Sequence, residues 1–231
     1  MLGPVDYAIW LAVILVETFS LVCVLKSRSF SRHFTLVLYL SVCLAVNVGR
    51  YSIIRTSGFT SEAYYYFYFY SESLLAISLY FVLMSLYSHI FSDLGVSKQI
   101  RAAAMLLLAA TAGISYHMVA TSNDRLVTHF VLELSQNLYF VGVVLTYLLW
   151  GAMAKLRENR LRLTQLVLSM GVYVSLFAGS YAMENLYPKH EFWRYYYPII
   201  AICLPLSWAY TFLKVPEDTR IATATVLATN Q

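Results

Sequence analysis

The chain has 231 residues, 60% hydrophobic and only 12% charged, against roughly a quarter charged in an ordinary soluble domain. A soluble fold of this length could not cover so much apolar surface. The net charge of +4 is spread over the ends of apolar runs rather than gathered in one block, so it gives no pointer to nucleic acid, and no nucleic-acid partner is expected.

Several runs reach the ~18 apolar residues needed to cross a bilayer core of about 30 Å. The expected fold is therefore all-α: a polytopic, seven-transmembrane helix bundle. Span one (7–25) follows "MLGPVDYAIW", which has no Lys or Arg and so lacks the basic start of a secretory signal. It reads as a retained first helix, and it carries Glu17. Span two (34–54) places Cys43, Asn47 and Arg50 on one face by their spacing. Span three (64–91) opens with "YYYFYFYSES" and carries Glu72. Span four (102–120) has no acid or amide. Span five (126–154) sets His129, Glu133, Gln136 and Asn137 at i, i+4, i+7 and i+8, a single polar stripe. Span six (163–186) ends near Glu184. Span seven (195–215) starts in a second aromatic cluster, "FWRYYYP", and contains Pro205, which removes a backbone donor and predicts a kink. The short linkers predict that successive helices pack as antiparallel neighbours, making residues 1–215 one helical domain.

Loop charge sets the expected orientation. Lys26, Arg28, Arg32, Lys98 and Arg101 fall on one side, with Lys155, Arg157, Arg160, Arg162, Lys214 and Arg220. The other side has only Arg55, Arg125, Lys189 and Arg194. The N-terminus is thus expected outside and the C-terminus in the cytoplasm. The remaining segment, 216–231, is a short polar tail. The three cysteines, Cys23, Cys43 and Cys203, lie inside apolar runs, so no disulfide framework is indicated.

Depth ties the polar residues together. Counted from the nearest charge on the inner side (Asp93 for span three), Arg50, Glu72, Glu133 and Glu184 all stand roughly 27–33 Å from the inner boundary. Glu17 stands about 14 Å from it, near the midplane, where a charge is costly and usually faces the bundle interior. This predicts an outward-facing polar vestibule lined by Glu17, Asn47, Arg50, Glu72, Glu133, Gln136 and Asn137, whose excess of carboxylates favours a cationic ligand or a coupled proton. The competing reading seats the outer residues among headgroups and makes the interior amides interhelical glue.

Catalytic patterns are missing. The chain has no G-x-S-x-G elbow, P-loop or H-E-x-x-H. No two histidines share a helix at i, i+4, although His117, His129 and Glu133 would meet if spans four and five packed closely. Span seven has no mid-helix lysine for a retinal Schiff base. No catalytic residue, metal or cofactor is expected. A weak internal correspondence relates the two ends of the chain: Lys26 and Arg28 match Lys155 and Arg157, and Tyr66 and Tyr68 match Tyr195 and Tyr197. It would pair spans one to three with five to seven, an arrangement that resembles small seven-helix sugar transporters but without their Pro-Gln signature.

The run "YFYFYSESLLAISLYFVLMSLYSHIFSDLG" and the seven-span layout resemble small bacterial seven-transmembrane proteins of uncharacterised role. The layout is also similar to the seven-helix sensor modules fused to bacterial signalling enzymes, though without a shared motif. That resemblance implies a multi-pass protein of a bacterial cytoplasmic membrane, and it carries over no functional residue. The leading expectation is a non-enzymatic, receptor-like module whose partners are the bilayer, a small cationic or polar ligand from the outer side, and a membrane or cytoplasmic signalling protein. A transporter of a small polar solute or cation is the alternative, and an intramembrane enzyme the third.

Overall fold

Backbone N–H and C=O groups in hydrocarbon must find partners within their own segment, and a run of about 20 residues achieves this only as a helix. The computed structural model shows seven: α1 (Pro4–Lys26), α2 (Phe34–Ser57), α3 (Glu62–Ile90), α4 (Ser97–Ala120), α5 (Leu126–Leu156), α6 (Leu161–Leu186) and α7 (Phe192–Lys214). It describes residues 3–27, 33–92, 95, 97–120, 126–156, 160–187 and 192–216. The tail from 217 onward lies outside these, as do Arg28, Arg32, Asp93, Arg125, Arg157, Lys189 and Arg220. All seven helices are long and apolar enough to cross a membrane, which makes the chain an integral, multi-pass membrane protein. Large apolar side chains stay exposed along them, Leu15, Leu106, Leu148 and Leu206 among them, as a surface solvated by lipid permits.

The helix ends have local causes. Gly3 precedes Pro4, whose fixed φ suits a first helical position, and the Gly3 N–H donates to the Asp6 carboxylate at 2.6 Å. Ser61 caps α3 by accepting from the Tyr64 N–H at 3.2 Å, after Gly58 turns the chain at φ 86°. With 29 residues, α3 is about 44 Å long, more than a hydrocarbon core of about 30 Å requires. Pro198 and Pro205 are accommodated inside a continuous α7.

The expected contacts between successive helices are present, from α1 with α2 to α6 with α7. Beyond these α3 also touches α6, and two contacts shape the bundle: α1 packs on α7, and α3 packs on α5. Together they close a ring in the order α1, α2, α3, α5, α6, α7. The fourth helix stays outside it, against α3 and α5. Small residues allow the closest approaches. Gly171 of α6 is buried beside Trp150 and Thr146 of α5, where a Cβ would come within 2.4 Å of the indole.

The ring is filled unevenly along its length. Its fully buried side chains include Leu36 and Leu40 early in α2, Leu83 late in α3, Leu166 and Met170 early in α6, and Trp208 late in α7. Because the helices alternate in direction, all of these lie at the end that carries the C-terminus, here the lower end. The upper end, which carries the N-terminus, is where the ring is hollow.

Candidate functional site

A cavity of about 1060 Å³ occupies the upper part of the ring, the size of a small-molecule site. It runs from Asp6, Phe59 and Trp193 at the rim to Tyr39, Tyr139 and Tyr173 at its floor. All six ring helices contribute to its wall and α4 contributes nothing.

Five of the seven residues expected at the site line this cavity: Glu17, Asn47, Arg50, Glu72 and Gln136. The shared face on α2 holds, since Cys43, Asn47 and Arg50 all point into it. Arg50 is drawn to α3. Its Nη2 donates to Glu72 Oε1 at 2.7 Å and to Ser71 Oγ at 2.7 Å, its Nε reaches Ser71 at 3.2 Å, and its guanidinium stands 4.6 Å from the centre of the Tyr68 ring. This arrangement engages the only cation in the lining among the described residues.

One turn down α2 lies a second network. The Trp10 indole N–H donates to Asn47 Oδ1 at 3.3 Å, which orients the amide so that Asn47 Nδ2 donates to Glu17 Oε2 at 2.8 Å. Glu17 is 4% exposed and forms no ion pair among the described residues, because Arg50 is engaged by Glu72 and Ser71. Across the cavity the Tyr197 hydroxyl donates to the Glu184 carboxylate.

Two expected residues lie elsewhere, and the helix-five stripe divides. Successive residues turn by about 100° on a helix, so Gln136 enters the cavity while Asn137 turns towards α4. There Asn137 Nδ2 donates to the buried Ser115 Oγ at 2.9 Å, joining α4 to α5. Glu133, one turn above Asn137 on the same side, does not line the cavity either. The error came from treating four polar positions within a broad arc as one face, when α4 covers part of it. His117 and His129 are exposed, and no group of three or more His, Cys, Asp or Glu is placed to hold a metal ion among the described residues.

Aromatic residues make up much of the remaining wall. Tyr64 and Tyr68 of α3, Tyr139 of α5, and Tyr173, Phe177 and Tyr181 of α6 face the cavity, with Phe177 lying 5.1 Å from Tyr139 and 4.7 Å from Tyr173 between ring centres. The aromatic clusters at the heads of α3 and α7 stand out in the sequence, whereas the tyrosines of α5 and α6 do not. Their signal was the i, i+4, i+8 spacing of Tyr173, Phe177 and Tyr181. The site thus presents carboxylates, one engaged arginine and many π-faces, a combination that attracts cations by charge and by ring quadrupole.

No protein-family model, no curated protein and no solved structure matches this chain.

Proposed function

We propose that this protein is a receptor-like membrane module that binds a small organic cation in the ring cavity. The observation that carries the reading is Glu17, a carboxylate buried in a cavity wall with an amide as its hydrogen-bond partner and no ion pair among the described residues, since the nearby Arg50 is paired with Glu72. A buried charge without a counter-ion is expensive, and a bound cation is the natural complement. Asp6 and Glu184 add acidic groups to the same lining, while Arg50 and Glu72 offset each other. The aromatic wall suits an alkylated ammonium group better than a hydrated metal ion, since the rings contact its methyl groups and its charge together. The excess of Lys and Arg in the lower loops and tail supports an upper end that faces outward, away from the cytoplasm, so the ligand would arrive from outside.

Choline and its uncharged isostere 3,3-dimethylbutan-1-ol test this directly. Ligand that binds only the folded state raises its stability, by about 2.7 kcal/mol at a hundred times Kd. Choline is expected to raise the Tm of the purified protein and the alcohol is not, and Glu17→Gln should remove the difference. Equal shifts with both compounds, or a choline effect that persists in Glu17→Gln, would refute the reading.

A further inference from the structure

The ring order has a property that the cavity makes specific. Since α1 touches α2 and α7 while α5 touches α6 and α3, each of α1, α2 and α3 stands across the cavity from α5, α6 and α7 respectively. The residues that face inward keep the same spacing in the two triplets. On α2 they are Tyr39, Cys43, Asn47 and Arg50, and on α6 they are Tyr173, Phe177, Tyr181 and Glu184. On α3, Tyr64, Tyr68 and Glu72 recur in step on α7 as Trp193, Tyr197 and Ala201. On α1, Asp6, Trp10 and Val13 recur on α5 as Leu132, Gln136 and Tyr139. Two three-helix halves, α1–α3 and α5–α7, therefore face each other across the cavity with inward residues at matching spacing.

The halves meet at the cavity floor through residues at matching places in the two sets. Tyr39 and Tyr173, which are 4% and 6% exposed, bring their hydroxyls to 3.4 Å at the cavity floor. Directly beneath, Trp208 packs edge-on against Tyr39 with ring centres 5.8 Å apart. Its indole N–H is buried and has no acceptor among the described residues. A permanent apolar core rarely keeps an unpaired donor. Here it lies just below a long, weak hydroxyl contact, in line with the cavity. Pro205 lines the same floor; having no N–H, it leaves the Ala201 carbonyl without its usual helical donor, while its own carbonyl accepts from the buried Ser20 hydroxyl of α1 at 2.7 Å.

We propose that Tyr39 and Tyr173 are the gate of a transport path, and that the protein carries its cation through the membrane as the halves α1–α3 and α5–α7 rock against each other. Packed helices move as bodies, and an interface between like halves can part at one end and close at the other with each half intact. The cation would move down its own gradient, so no coupled reaction is required. This inference rests on the cation-binding reading of the same cavity, and it adds flux to binding.

Uptake of radiolabelled choline into proteoliposomes decides it, alongside the thermal shift with choline. The wild type should show saturable uptake that Glu17→Gln abolishes. Tyr39→Phe with Tyr173→Phe keeps the packing and removes the hydroxyl contact, so uptake should quicken about two- to tenfold. Tyr39→Ala with Tyr173→Ala should remove saturation. Thermal denaturation checks that each variant is folded. Choline binding without uptake, in the wild type and in the Phe variant, would overturn the transport proposal and leave the receptor reading intact. Neither binding nor uptake would overturn both.

Discussion

Replacing Glu72 by glutamine removes one charge and almost no volume, which makes it the sharpest probe of the Arg50 cluster. In the wild type Arg50 Nη2 lies 2.7 Å from Glu72 Oε1, with both side chains 16% exposed. Two unit charges with centres ~4 Å apart attract by about 4 kcal/mol at an effective dielectric of 20. Desolvation of the pair and water in the cavity take back much of that. Breaking a fully buried pair costs about 3–5 kcal/mol and an exposed one less than about 1 kcal/mol. At the edge of a cavity the expected loss is about 2 kcal/mol, which lowers Tm by about 4–8 °C for a chain of this size. Thermal unfolding in detergent measures it, and a double-mutant cycle with Arg50→Gln isolates the pair. The double variant should lose less than the sum of the singles by about 1–2 kcal/mol. Additive losses would show that Arg50 is held by Ser71 and Tyr68 alone and would refute the pairing argument.

Gly171→Ala should lower stability by about 1–3 kcal/mol, because the new Cβ would meet Trp150 at 2.4 Å and Thr146 at 2.5 Å. Gly179→Ala, with open space around it, should leave Tm unchanged or raise it slightly in the same melting experiment. Asn137→Ala should cost about 0.6–1.7 kcal/mol by loosening α4 from α5, and should leave the choline-induced shift intact, whereas Gln136→Ala should weaken that shift. Ser61→Ala removes the cap on α3 and should cost about 0.5–2 kcal/mol, read from the same melts.

Hydropathy and length were enough to locate all seven helices to within a few residues, since a span must be long and apolar to exist in lipid at all. A fixed rise per residue sets Arg50, Glu72, Glu133 and Glu184 at one expected level, and three of these, Arg50, Glu72 and Glu184, line one cavity. Azimuth was not legible. Whether a residue faces the cavity, a neighbour or lipid depends on which helices touch, and α3 against α5 with α4 outside cannot be read from linker length. Glu133 and Asn137 were misplaced for that reason. Glu184 belongs to the expected outer level but not to the expected lining, because its partner, Tyr197, belongs to a helix whose position beside α6 becomes visible only in the folded bundle.

The outlying position of α4 has a topological consequence. Three crossings leave a chain on the far side of the membrane, so a second triplet joined directly to the first would enter upside down. One additional crossing restores parity, and α5 then runs in the same direction as α1. α4 need not touch the cavity to be indispensable to it: by its mere passage it lets two triplets of the same handedness and the same sense stand face to face.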